Sequence, residues 1–147
     1  MKDIIEKIKN TPNCIVLPPN GAPQTEKGIS VPLDVKEFYT LCGGINFFQR
    51  EEFPIEIVTP SDFVRANPVI AGEEWNDDLS FNWFIIGKSE GSGGQYITMD
   101  LGNDRLGQCY DSYWDKHVNF ECPIIAKSFT ELLILMLLYL NSVDDDG

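Results

Sequence analysis

The stretch VPLDVKEFYTLCGG, residues 31–44, contains the start and the stop signals of one helix. Pro32 suits the first helical turn, because the N–H group that proline lacks has no partner there. The Gly43-Gly44 pair supplies the stop. Between these ends, apolar residues recur at helical spacing: Val35, Phe38, Tyr39 and Cys42. We therefore predict an amphipathic helix that begins at Pro32 and ends before the two glycines.

Two more helices are predicted at the ends of the chain. Lys2–Lys9 has its isoleucines on one stripe, and the proline-rich segment Thr11–Pro32 that follows should be extended and looped. Phe129–Asn141 follows a capping box in which Ser128 caps the helix and Glu131 reaches back. This last helix is apolar nearly all round, so we expect it to be buried between the sheet and other elements.

The middle of the chain reads as consecutive strands with one short helix. Thr59-Pro60-Ser61-Asp62 is typical of a helix start, with Thr59 as the cap, and that helix should end before Pro68. Gly87 is expected where a strand turns. The predicted strands are Ile45–Phe48, Phe53–Val58, Trp83–Ile86, Gln95–Asp100, Leu106–Tyr110 and Cys122–Ala126.

This order indicates an α+β fold, with a mainly antiparallel central sheet flanked by N-terminal, middle and C-terminal helices. With 147 residues and 43% hydrophobic content, the chain suits a single domain with a core of its own. We expect one domain over residues 1–147, of which 142–147 form a disordered acidic tail.

Charge is the strongest feature of the composition. Eleven Lys and Arg residues against 23 Asp and Glu residues give a formal net charge of −12. Such a field repels phosphate backbones, which argues against nucleic acid as a partner, and it speeds association with a basic protein surface. The alternative is that the excess acid only keeps the protein soluble.

The N-terminus has no apolar signal-peptide core, and the longest apolar run, Leu132–Leu140, is far shorter than the roughly 20 residues that span a bilayer. The four cysteines, Cys14, Cys42, Cys109 and Cys122, show no CxxC pair and no zinc spacing. We therefore expect reduced thiols, a cytoplasmic protein, and no membrane partner.

No motif in the sequence supports catalysis, a cofactor or a metal site. A phosphate-binding loop around Gly87 would need a glycine where Asn82 stands, and a calcium loop at Asp100–Asp104 would need a glycine where Arg105 stands. His117, the single histidine, lacks a recognisable nucleophile motif, which favours a structural role. A hydrolase that used His117 would need a nearby nucleophile in a pocket.

Two segments combine acidic and aromatic residues, as protein interfaces do. In the first, a tryptophan stands among acids, and it either packs on the core or is offered to a partner. In the second, the aromatic residues either contact a partner or cover the end of the sheet. The candidate partner-binding residues are Glu73, Glu74, Trp75, Asp77 and Asp78 in the first segment, and Tyr110, Asp111, Tyr113, Trp114 and Asp115 in the second.

Four blocks resemble those of the SUKH superfamily in order and spacing. They are the helix at residues 31–44, the Trp83–Gly87 block, the glycine-led strands at 94–100 and 107–110, and the closing stretch Ile125–Leu133. That superfamily includes the Smi/Knr-type fungal cell-wall regulators and many bacterial immunity proteins. Cys42 stands where the family often has an asparagine.

The resemblance implies a Smi/Knr-like fold and a non-catalytic protein that binds and neutralises a cognate bacterial toxin, such as a basic nuclease. The alternative is a regulatory scaffold module that binds a housekeeping signalling or cell-wall-related protein. In either case we expect a monomer or a weak homodimer.

Overall fold

The computed structural model describes residues 1–47, 54–75, 78–89, 95–112, 117 and 122–146. Within these residues the α-helices are α1 (Lys2–Lys9), α2 (Leu33–Leu41), α3 (Ala66–Ile70) and α4 (Phe129–Asp146). Two short 3₁₀ helices lie at Pro60–Asp62 and Leu79–Asn82. The strands are β1 (Ile15–Val16), β2 (Ile45–Phe47), β3 (Ile55–Ile57), β4 (Trp83–Ser89), β5 (Gln95–Asp100), β6 (Cys109–Asp111) and β7 (Ile124–Ala126).

The strands of the described residues form one seven-stranded sheet, in which they lie in chain order from β1 to β7. Every neighbouring pair is antiparallel. This meander confirms the predicted α+β class with its antiparallel sheet. β4, β5 and β6 are therefore neighbours in the sheet. These three strands carry several residues of the candidate site described below.

The core lies between the sheet and the helices of the two chain ends. α1 packs against β1 and α4, and α2 packs against α4. Phe38 of α2 is fully buried, and its ring centroid is 4.9 Å from that of Phe129 at the start of α4. The Asp34 carboxylate joins the same two helices, because it accepts hydrogen bonds from both the backbone N–H and the hydroxyl of Thr130 at 2.9 Å.

The two glycines after α2 are required by close backbone packing. A Cβ atom added to Gly43 would lie 2.2 Å from the carbonyl oxygen of Pro18. Gly44 has a φ of +130°, and its Cβ would lie 2.8 Å from the carbonyl oxygen of Ile57. The predicted helix stop is therefore also the point where the chain passes between two neighbouring backbone segments.

The predicted middle helix was wrong in its cap and in its end. Pro60–Asp62 forms only a 3₁₀ turn, and the Thr59 hydroxyl lies 3.2 Å from the Ser61 hydroxyl instead of capping a backbone N–H. The α-helix α3 comes later and contains Pro68 in its first turn. Proline is tolerated there because the first N–H groups of a helix have no intrahelical acceptor.

Gly87 was predicted at a strand end, but it lies inside β4, where it pairs with Ile57 of β3 and Ile97 of β5. A Cβ at this position would lie 3.2 Å from the Cβ of Ile97 and 3.3 Å from the carbonyl oxygen of Glu56. Glycine suits this position because the Ile97 side chain and the Glu56 carbonyl approach closely from the neighbouring strands, and not because the chain turns there.

The final helix differs from the prediction in length and in burial. It continues beyond Asn141 to Asp146, through part of the segment predicted as a tail, since no glycine or proline interrupts it. The Ser128 hydroxyl does accept the N–H of Glu131 at 3.1 Å, as a cap should. Among residues 129–138, whose side chains the structure describes, Phe129, Leu132 and Leu133 are buried, whereas three apolar residues are exposed: Ile134, Leu135 and Leu138.

Candidate protein-binding site

Two tryptophans contact His117 and a tyrosine stacks on one of them, and we call these four residues the His117 cluster. Trp75 stacks on the imidazole ring with centroids 6.1 Å apart, and Trp83 meets it edge-on at 5.9 Å. Trp83 in turn stacks on Tyr110 of β6 at 4.1 Å. The two segments that the sequence singles out thus meet here: Trp75 comes from the first and Tyr110 from the second. His117 itself is 2% exposed.

A chain of hydrogen bonds leads from His117 to a carboxylate. The Nε2 atom of His117 lies 2.5 Å from Oδ1 of Asn67, whose Nδ2 donates to the Ser80 hydroxyl at 3.0 Å. The hydroxyl and the backbone N–H of Ser80 both donate to Oδ2 of Asp78. Because Asn67 uses its amide N–H on Ser80, its oxygen must face the imidazole, which places the proton of neutral His117 on Nε2.

Burial lowers the pKa of His117 below its ordinary value, and the Asp78 carboxylate opposes that shift. The unfolded chain therefore binds more protons than the folded chain at mildly acidic pH. We predict that the free energy of unfolding falls as the pH drops below about 6.5, the ordinary histidine value, and that this dependence ends below the folded-state pKa.

Urea unfolding between pH 7.5 and pH 5 measures this effect. A His117→Gln variant keeps a polar side chain but has no histidine left to titrate, so its unfolding energy should change less over the same range. Equal pH dependence in the two proteins would contradict a buried neutral His117.

Asp100, at the end of β5, fixes the position of Trp83. Its carboxylate is 1% exposed and accepts the Trp83 indole N–H at 3.1 Å. The same carboxylate accepts Nε of Arg105 at 3.0 Å and the backbone N–H of Gly102 at 2.7 Å. One side chain thus holds the β5–β6 turn against β4 and orients the ring on which Tyr110 stacks.

The acidic loop that follows α3 carries the exposed charge of the site. Glu73 and Glu74 are exposed, whereas Trp75 is partly buried. The indole N–H of Trp75 donates to the Glu73 carboxylate at 3.3 Å. The loop therefore combines two exposed carboxylates with an aromatic ring that stacks on buried His117. Exposed carboxylates and aromatic rings are both groups that attract a cationic side chain of another protein.

Other predicted site residues have structural partners. Asp78 caps the 3₁₀ helix Leu79–Asn82. Tyr110 is 5% exposed, and its hydroxyl donates to the Gln108 side chain at 2.9 Å. The backbone N–H of Asp111 donates to Pro123 at 3.0 Å. The remaining predictions lie outside the described residues: Asp77, Tyr113, Trp114 and Asp115.

Asn67, Ser80 and Asp100 hold the residues of the site in place through hydrogen bonds. No sequence pattern indicated this role for any of the three. Each is at most 4% exposed and hydrogen-bonded through its side chain. Asp78-Leu79-Ser80 carries a local signal, since an aspartate two residues before a serine is a common turn-forming pair. Asn67 carries no such signal, because its partner His117 is far away in sequence.

A concave feature lies on the side of α3 near the N-terminal loop. It is a groove of about 300 Å³, and its lining includes Phe63, Val69 and Phe84. Arg65 forms part of the wall: its guanidinium lies 4.0 Å from the centre of the Phe81 ring, and its Nε donates to Glu26 at 3.0 Å. The charge of Arg65 is thus compensated within the chain, and the acidic side chain of Glu26 stands at the rim.

The described residues contain no group of three or more His, Cys, Asp or Glu side chains that could hold a metal ion. In the same part of the chain, no helix is long and apolar enough to cross a membrane.

Comparison with known proteins identifies the family. Residues 23–135 match the SMI1 / KNR4 family (SUKH-1). The chain is also 39% identical over 135 residues to a protein named "Immunity protein YokJ" from Bacillus subtilis (strain 168), which covers 91% of this chain and 81% of that protein. These matches confirm the resemblance seen in the sequence blocks. The chain therefore belongs to the SMI1/KNR4 family (SUKH-1).

Proposed function

We propose that this chain is an immunity protein, which binds a cognate bacterial toxin and neutralises it without catalysing a reaction. The observation that carries the proposal is the 39% identity, over most of both chains, to a protein named as an immunity protein. The fold alone would not select this function, since one fold serves many partners. The charge of the chain adds an independent argument about the kind of toxin.

The proposed toxin has a basic surface, as a nuclease does. With a net charge of −12, the chain attracts cationic proteins over distances of about one Debye length, roughly 10 Å at 0.1 M salt. A nuclease needs cationic groups to hold its phosphate substrate. An acidic protein that covers those groups competes directly with the substrate, and the same field disfavours nucleic acid as a partner of this chain.

We further propose that the exposed Glu73 and Glu74 and the partly buried Trp75 contact the toxin. This proposed contact is supported by the combination of two exposed carboxylates with an aromatic ring that stacks on His117. A ring held in place before binding loses little conformational entropy when the complex forms. Asp78 contributes indirectly, because its carboxylate is engaged with Ser80 and positions the loop.

Binding in the cytoplasm by a monomer is part of the same proposal. None of the four cysteines, all of which lie in the described part of the chain, forms a disulfide. This arrangement suits a reducing compartment. The high net charge also opposes self-association of two identical acidic chains.

Reversing one charge of the loop tests the surface. We expect Glu74→Lys to lower the association rate with the purified toxin roughly three- to tenfold at low salt, because a rim charge acts mainly on the on-rate. The probe is the protein toxin that the chain recovers from the lysate of its host, and stopped-flow fluorescence at about 20 mM and 200 mM salt gives the rates. The difference should shrink at the higher salt.

Glu6→Lys is the matched control, since it makes the same change in net charge on an exposed glutamate of α1. It should slow association much less than Glu74→Lys. If the two variants slow binding equally, only the overall charge matters and the loop is not the contact. If neither variant differs from the wild type, electrostatic capture is wrong altogether.

A further inference from the structure

A nucleophile that the sequence does not reveal lies beside the His117 cluster. Cys122 lies just before β7, and its Sγ atom is 4.0 Å from Nδ1 of His117. The Ser112 hydroxyl donates to the same sulfur at 3.6 Å and lies 2.7 Å from the Thr98 hydroxyl. Cys122 is partly exposed, unlike Cys42 and Cys109, which are at most 1% exposed.

The proton positions around His117 make it a base for this thiol. Nε2 carries the proton and donates to Asn67, so Nδ1 presents its lone pair to Cys122. The thiol lies 4.0 Å from Nδ1, and hydrogen bonds continue from Nε2 of His117 through Asn67 and Ser80 to the Asp78 carboxylate. A proton that moves from sulfur to Nδ1 creates an imidazolium, and this chain of acceptors stabilises it.

We infer that Cys122 is a base-activated nucleophilic thiol, and therefore a site of covalent modification by soft carbon electrophiles. The sulfur forms a bond to the electrophilic carbon, and the leaving group departs with its electron pair. The thiol proton passes to Nδ1 of His117 and from there to solvent. Cysteine, imidazole and an orienting amide are the three groups that nucleophilic cysteine sites use.

Further titratable groups among the described residues lie near this pair. Asp78 is linked to His117 through Ser80 and Asn67, and burial lowers the pKa of His117, so the imidazole is neutral and able to accept a proton at pH 7. Tyr110 stacks on Trp83, and burial raises the pKa of its phenol. Asp100 and Arg105 form an ion pair.

Alkylation by iodoacetamide tests the inference on the native chain, with each cysteine followed separately by peptide mass spectrometry. The carbon–iodine bond breaks and iodide leaves, so the reaction is irreversible and simple to time. Cys14 is the internal control, because it is also partly exposed. We expect Cys122 to react at least about tenfold faster than Cys14 at pH 7, where an ordinary thiol of pKa about 8.5 is mostly protonated.

The pH profile distinguishes activation from mere exposure. The rate of an ordinary thiol falls about tenfold per pH unit well below its pKa, whereas the rate at Cys122 should stay nearly constant until His117 gains a proton. Parallel profiles at the two cysteines, or a Cys122 rate no greater than that of Cys14, would overturn the inference.

A His117→Gln variant removes the base and keeps a polar group beside Asn67. Its Cys122 should react no faster than Cys14. The buried Cys42 and Cys109 report whether this variant still folds, because they react only when the core opens. Unchanged rapid alkylation of Cys122 in a folded variant would also overturn the inference. If the variant unfolds, the wild-type comparison and its pH profile decide.

Discussion

Replacing Asp100 with alanine should lower the free energy of unfolding by about 2–4 kcal/mol, because two partly buried N–H donors lose their acceptor. These donors are the Trp83 indole and the Gly102 backbone. Arg105 adds little to the loss, since its side chain is 40% exposed and water can replace the carboxylate. Urea unfolding monitored by tryptophan fluorescence measures the change.

The same substitution should disturb the candidate site. Without the carboxylate, Trp83 loses the bond that orients its ring against Tyr110 and His117. We therefore expect altered tryptophan emission of the folded variant as well as a lower unfolding midpoint. For a chain of this size, each kcal/mol corresponds to roughly 2–4 °C in Tm.

Asp104→Ala is the matched control for Asp100→Ala, because it removes an exposed aspartate from the same turn. Exposed substitutions of this kind change stability by no more than about 0.5 kcal/mol. Equal losses of unfolding free energy in the two variants would mean that the removed charge, and not the hydrogen bonds of Asp100, determines the stability.

Local patterns in the sequence were sufficient to predict the fold class. The helical spacing of Val35, Phe38 and Tyr39 and the Gly43-Gly44 stop predict α2, and the Ser128 cap predicts the start of α4. These features depend on residues a few positions apart, which is why a sequence shows them. Strand positions were also close, because alternation and turn residues are local signals as well.

The errors arose where distant backbone segments decide the local structure. Gly87 has the appearance of a turn residue, but its role depends on the approach of Ile97 and Glu56 from neighbouring strands. The outer face of α4 illustrates a second limit. Its apolar composition suggests complete burial, whereas only the face against α1, α2 and β7 has elements to pack on.

Composition could indicate candidate residues for the site but not their contacts. Trp75 is linked to Tyr110 through His117 and Trp83, and a sequence cannot show these contacts without the register of the strands. Composition drew attention to the acidic loop, whose role stays a prediction, but it treated all of the loop acids alike. The structure distinguishes exposed Glu73 and Glu74 from Asp78, whose carboxylate is bonded to Ser80.

Neutralisation of a toxin in living cells is the largest effect that the account predicts. Expression of the cognate toxin alone should stop growth, and co-expression of this chain should restore colony formation to the level of uninduced cells. A double Glu73→Lys and Glu74→Lys variant should protect less well than the Asp3→Lys and Glu6→Lys control, which makes the same change in net charge on exposed residues of α1.

The most direct test is therefore the colony count of cells that express the toxin with and without the wild-type chain, with the toxin's amount confirmed by immunoblot. We predict that the wild-type chain restores the full colony count at equal toxin levels, and that a stable complex of the two proteins is recovered. Growth arrest that persists in the presence of abundant folded chain, with no complex recovered, would contradict the proposal that this chain neutralises that toxin.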